Sequence, residues 1–125
     1  MARDKSIPCL IHIPCTMPDG SEISDELMNS FLEMLDRQFG GSSPLGVVPG
    51  RWIDPDGNTV QEQMHRVEVT VKKSQIANFE KVARLIGRAT KQKVMYVVVN
   101  YQAETRFLFS DDEDEGDTKG ITSAG

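Results

Sequence analysis

The chain predicts an α+β fold, two helices laid on one face of an antiparallel sheet, and three observations carry that reading. Residues 7–13 alternate as a strand does, with Ile7, Cys9, Ile11 and Ile13 on one parity and Leu10 and His12 on the other. Two stretches with apolar residues at helical spacing follow, separated by a pair of strands joined through Pro55-Asp56-Gly57-Asn58. Val94–Val99 is then an unbroken apolar run, short and rich in β-branched residues, which suits a central strand better than a helix.

Each element has its own signals. Pro14 ends the first run, and Pro18-Asp19-Gly20 makes a turn. Ser24 is placed to cap the first helix, with Asp25 and Glu26 well set against the helix dipole. Leu27, Met28, Phe31, Leu32, Leu35 and Phe39 give that helix one apolar stripe, and Gly40-Gly41 stop it. After a connection rich in Ser, Pro and Gly, Arg51–Ile53 read as a short strand and Val60–Lys72 as a long one. Ser74 is expected to cap a second helix whose Ile76, Phe79, Val82, Ala83 and Ile86 face the core. Ala103–Phe109 keeps β character and is expected to form a last strand. The order β-α-β-β-α-β with one added C-terminal strand predicts a ferredoxin-like α+β sandwich. One sheet face is then left without helices. Because Val94–Val99 offers apolar groups to both faces, a second subunit is expected to cover part of it.

The net charge of −5 over 125 residues resolves into two regions. Residues 111–125 hold six of the nineteen acids and one of the fourteen bases, which leaves thirteen of each in residues 1–110. A single neutral domain over 1–110 is therefore expected, followed by an acidic tail over 111–125 that is expected to be disordered. A neutral body argues against nucleic acid as a partner, which requires a dense positive field. No apolar run approaches the ~20 residues of a membrane span, so no membrane association is expected. Met1-Ala2-Arg3-Asp4-Lys5 has no apolar stretch behind it, so no signal peptide is expected. Two cysteines without an export signal point to reduced thiols in the cytoplasm.

Polar chemistry concentrates on the ribbon from Gly50 to Arg66, which carries the chain's one tryptophan. Parity separates its residues. Val67, Val69 and Val71 must face the helices, which puts Gln61, Gln63 and His65 on the helix side and Glu62, Met64, Arg66 and Glu68 on the other. Arg66 between Glu62 and Glu68 reads first as a row of solvated or interface ion pairs. The sharper reading makes Arg51, Trp52, Glu62 and Arg66 the lining of a ligand or partner site. In it, arginine gives bidentate contacts to a small anionic ligand and Trp52 gives a stacking plane.

Asp54, Asp56 and Asn58 alternate as calcium ligands do, but the glycine stands at the wrong place for such a loop, and a turn explains every residue. Cys9, His12, Cys15 and His65 lack the spacing of a zinc site, so no metal is assigned. No P-loop, nucleophile elbow or glycine-rich dinucleotide turn is present, and no cofactor is expected. Lys81, Arg84, Arg88 and Lys91 follow at spacings of three and four on the second helix. Such a stripe is first the wet side of an amphipathic helix, and second an anion-binding face on which Asp111–Glu115 would dock.

Phe39-Gly40-Gly41, then Gly50-Arg51-Trp52, Gly57 and Glu62 resemble a group of small bacterial α+β proteins with a Phe-Gly-Gly … Gly-x-Trp hairpin motif. The resemblance covers residues 7–109 and implies a compact α+β domain; it transfers no catalytic residue. The sequence thus points to a cytoplasmic binding or accessory module that works as a homo-oligomer, a dimer, with a protein partner. Two alternatives stay open. One is a small dimeric α+β-barrel enzyme with a Glu62 or His65 base and Arg51 or Arg66 holding an anion. The other is a nucleotide or nucleic-acid binder using Trp52 and the basic stripe.

Overall fold

Residues 3–111 are described by the computed structural model. The elements run β1 (Ser6–Pro14), α1 (Asp25–Phe39), β2 (Ser43–Ile53), β3 (Thr59–Lys72), α2 (Ile76–Ala89) and β4 (Tyr96–Val99), with a 3-10 turn at Lys73–Gln75 leading into α2. The strands form one antiparallel sheet in the order β2-β3-β1-β4. This is the ferredoxin-like arrangement, in which two βαβ units interleave and the first strand of each lies at the centre.

The core follows from strand parity meeting helix periodicity. Ile7, Cys9, Ile11 and Ile13 of β1 and Val67, Val69 and Val71 of β3 all point to one side and are buried. Met28, Phe31 and Leu35 of α1 and Ile76, Phe79, Val82, Ala83 and Ile86 of α2 close over them as one cluster. The Phe39 and Phe79 rings meet edge-on at 5.9 Å, tying the end of α1 to α2. Ser24 caps α1 as expected, its Oγ accepting the Leu27 N–H at 3.1 Å. Gly40 closes the helix at φ 89°, a left-handed conformation that a side chain would strain, and its N–H donates to the Asp36 carbonyl.

Four expectations are corrected. β2 is an eleven-residue strand and not three, because β3 supplies a partner for residues that look like a loop in isolation. The register shifts between Pro44 and Val47, where Gly46 takes φ 102° as the extra residue of a bulge. Ser74 does not cap α2: it lies in the 3-10 turn, and its N–H and hydroxyl both donate to the Asp4 carboxylate, at 3.0 and 2.7 Å. β4 lies at an edge of the sheet, and only Tyr96–Val99 of the apolar run is strand. Ala103–Phe109 is extended but adds no strand to the sheet. That segment is held by isolated bonds, with Thr105 N–H donating to the Ser6 carbonyl at 2.8 Å. No helix among the described residues is long and apolar enough to cross a membrane. The acidic tail expected over 111–125 lies, except for Asp111, outside the described residues.

Candidate functional site: a groove on the helix-free face

The face of the sheet opposite the helices carries the even-numbered residues of β1 and β3. Register brings them into rows. His12 lies between Arg66 on β3 and Tyr96 on β4, and Pro14 lies beside Met64, which pairs in turn with Val48 of β2. Gly50 stands opposite Glu62 and Trp52 opposite Val60, and the absent side chain at Gly50 leaves a space between Trp52 and Val48 that the Met64 methyl enters. The result is a groove of about 560 Å³ with an apolar floor of Leu10, Met64 and Val98. Trp52, Glu62, Arg66, His12 and Tyr96 supply its polar and aromatic groups.

The groove runs from the back of the core, at Leu10, His12 and Arg66, out to the hairpin end of β2 and β3 at Trp52 and Glu62, so the long strands supply its outer half. The turn is organised by Asp54, whose Oδ1 accepts the N–H groups of Asp56 and Asn58 at 3.0 and 2.9 Å. Gly57 takes φ 84° and donates to the Asp54 carbonyl at 2.9 Å. The oxygen that suggested a calcium ligand is thus committed to the turn. Among the described residues no three His, Cys, Asp or Glu side chains converge to hold a metal ion.

Trp52 is 40 % exposed. Its indole N–H donates to Glu62 Oε1 at 3.3 Å, a diagonal contact across the ribbon that holds the carboxylate on the helix-free side. Arg66 projects from the next row but one of the same strand face. Among the described residues neither Arg51 nor Arg66 has an ion-pair partner, so the row of Glu62–Arg66–Glu68 pairs foreseen from parity does not form. Arg51 has the opposite parity to Trp52, pairing with Gln61, and its long side chain lines both this groove and a second cavity.

His12 is the site residue that sequence reasoning weighed only as a metal ligand and did not place in the groove. It is only 7 % exposed and its Nδ1 is buried without a hydrogen-bond partner among the described residues. Its ring meets the Tyr96 ring edge-on at 4.6 Å. Burial, and then the Arg66 charge, hold its pKa below the ordinary histidine value, against a smaller opposing effect of the Tyr96 backbone. His12 is therefore a neutral imidazole near pH 7. Its even parity on β1 was the available signal, since it shares a face with Arg66 once β1 and β3 are paired.

The second cavity, about 670 Å³, lies on the helix side of the same ribbon and includes Cys15, Glu22, Gln61, Gln63 and His65. His65 and Arg66 thus point to opposite sides of the ribbon, while Glu62 and Arg51 line both cavities, so Glu62 shares the second cavity with His65 and the first with Arg66. The Cys15 thiol is pushed up by burial and by the Glu62 charge, the reverse of what an activated nucleophile needs. Lys81, Arg84 and Arg88 are exposed on the outer side of α2, across the sheet from the groove. Lys91 lies beyond the helix in a left-handed conformation, φ 59°, so the stripe is three residues of helix plus one of the loop.

The chain matches no protein-family model and no curated protein. Among solved structures it is similar to a phage SAM lyase in complex with S-methyl-5'-thioadenosine. The likeness has a TM-score of 0.58 at 11 % identity and covers 83 % of this chain and 97 % of that one. At that identity the similarity establishes the shared α+β fold alone.

Proposed function

We propose that the protein is a cytoplasmic, self-associating binding module whose helix-free groove takes a small ligand with a flat ring and a polar or anionic group. The observation that carries this reading is the Trp52–Glu62 pair at the mouth of an apolar groove that also holds Arg66 and the buried, unpaired His12. An exposed indole beside apolar side chains offers a stacking plane. Glu62 accepts hydrogen bonds, as from ribose hydroxyls or a ring amine, while Arg66 donates them to an anion. The ligand of the solved neighbour, S-methyl-5'-thioadenosine, has this chemistry: a purine, a ribose and an apolar thioether. It is the first probe to use.

Titration with S-methyl-5'-thioadenosine, adenosine and AMP, followed by Trp52 fluorescence and calorimetry, tests the proposal. Saturable quenching with a Kd below about 1 mM is expected, corresponding to more than ~4 kcal/mol of binding. Loss of that heat in Trp52→Ala, with the fold retained by circular dichroism, would place the ligand on the ribbon. No heat with any of the three ligands would overturn the small-ligand reading.

A second reading, an enzyme, is favoured by one observation: the solved neighbour is a lyase. In it Glu62 acts as a general base and Arg66 steadies developing negative charge in the same groove. Incubation with SAM and mass-spectrometric detection of S-methyl-5'-thioadenosine separates the two readings. Turnover abolished by Glu62→Gln supports the enzyme, and binding without turnover supports the module.

A further inference from the structure

Past β4 the chain turns and crosses back over the helix-free face at the end of the sheet away from Trp52 and Glu62. Asn100 N–H donates to the Pro8 carbonyl at 3.1 Å and Thr105 N–H to the Ser6 carbonyl at 2.8 Å. The Thr105 hydroxyl lies 3.5 Å from that of Thr70, and Glu104 pairs with Arg3 at 2.6 Å and with Arg106 at 3.7 Å. The segment is thus fastened as far as Arg106. Its next three residues, Phe107, Leu108 and Phe109, are 70, 87 and 74 % exposed. Single apolar residues on a surface need no explanation, but three large adjacent ones do. Ser110 and the acidic run Asp111–Glu115 follow directly.

The groove has the complementary character, an apolar floor beside two arginines without ion-pair partners among the described residues. The chain's own triplet lies next to the near end of the groove, where Leu10 pairs with Glu68, but its three side chains stand in solvent and do not fill it. Phe107 lies beside Glu68 and Thr70. Glu62 stands six residues further along β3, which at ~3.3 Å per residue is about 20 Å. Three residues fully extended span no more than ~11 Å. While Thr105 stays bonded to Ser6, this triplet can meet Leu10 and Arg66 but not the Trp52 and Glu62 end, so a triplet seated against Trp52 comes from another copy of the chain. The basic stripe on α2, the other cationic surface, lies across the sheet from this segment.

We propose that Phe107-Leu108-Phe109 of one copy of the chain enters the helix-free groove of a second copy, with the acidic residues that follow set against Arg51 and Arg66. This rests on the reading of the groove as a binding face and deepens it: the partner copy contributes side chains to the site. Apolar burial gives the contact its strength, and the acidic run fixes its direction along the groove.

Native mass spectrometry of the full chain against F107S/L108S/F109S tests the proposal, together with a labelled peptide of residues 105–117 titrated into that variant. The three side chains are exposed, so the variant is expected to melt as the parent does. The expected result is a dimer or larger species for the parent and a monomer for the variant. The peptide is expected to bind the variant, weaken with added salt, and lose at least ~10-fold in affinity when R51E/R66E is added to it. A monomeric parent overturns the proposal, as does a variant of unchanged mass or a peptide that binds equally with the arginines reversed. Neither readout involves a small ligand. Failure of S-methyl-5'-thioadenosine to bind either form, with the peptide binding, would therefore remove the small-ligand reading and leave this one standing.

Discussion

Gly50 is a glycine for reasons of space, and Gly50→Ala tests whether the groove is a soft cavity or a packed part of the fold. Its backbone is not left-handed, so alanine adopts the same conformation without strain. A Cβ there would overlap the terminal methyl of Met64 and lie 3.5 Å from its sulfur and 3.8 Å from the Glu62 carbonyl oxygen. To recover an ordinary carbon contact of ~3.5–4.0 Å, the Met64 methyl must retreat by more than ~1 Å. The thioether is the flexible end of the side chain, and leaving its rotamer costs about 0.5–1.5 kcal/mol. Replacing glycine within a strand returns about 0.5–1 kcal/mol through the unfolded chain. The two nearly cancel, so the urea midpoint of Gly50→Ala should correspond to a stability within ~1 kcal/mol of the parent. The displaced methyl fills groove space beside Trp52, so the indole emission shifts and the affinity for S-methyl-5'-thioadenosine falls about tenfold, equivalent to ~1.4 kcal/mol. A loss of more than ~2 kcal/mol in stability would refute the reasoning, because it would mean that Met64 is held as rigidly as a core residue.

Three further predictions follow from the packing and the ionisation of buried groups. Phe79 is fully buried at the centre of the cluster under both helices, so Phe79→Ala should lose ~3–5 kcal/mol in equilibrium unfolding, read as a lowered urea midpoint at unchanged slope. Burial and Arg66 lower the His12 pKa in the folded state, so the unfolded chain takes up its proton first as pH falls. Its contribution to stability is complete above about pH 6.5 and is lost as the pH drops from there through the folded pKa; His12→Gln should show a smaller fall in stability between about pH 7 and 5.5. The Cys9 thiol is fully buried and pushed up to about 11 by that burial, while Cys15 is only half-buried. Mass mapping after brief iodoacetamide treatment at pH 8 should therefore find Cys15 modified and Cys9 protected until denaturant is added, and equal labelling of both would contradict the buried position of Cys9.

The elements most legible in the sequence were those whose stabilising partners are local. α1 shows its cap, its stripe and its stop within residues 24–40, and each signal reflects chemistry available inside one helix. The alternation in β1 and the valines of β3 likewise predicted which face is buried, since a period of two leaves no other choice. β2 was mostly illegible: Pro44, Gly46, Pro49 and Gly50 all disfavour a strand locally, and only the long register with β3 makes them one. The reverse error at Ala103–Phe109 has the same origin. β-forming residues there find single hydrogen bonds on Ser6 and not a strand edge to extend along.

The sequence by itself determined the fold class, the core residues and the placing of Glu62 and Arg66 on the helix-free side. Those follow from periodicity, which is set by backbone geometry that every chain shares. Only the tertiary structure decided what these residues face. Bringing β1 between β3 and β4 puts His12 beside Arg66 and under Tyr96, a row drawn from three strands far apart in the chain. The tertiary structure likewise leaves Phe107, Leu108 and Phe109 in solvent. A sequence carries the parity of each strand, but the neighbour across the sheet is chosen by the burial of the whole core.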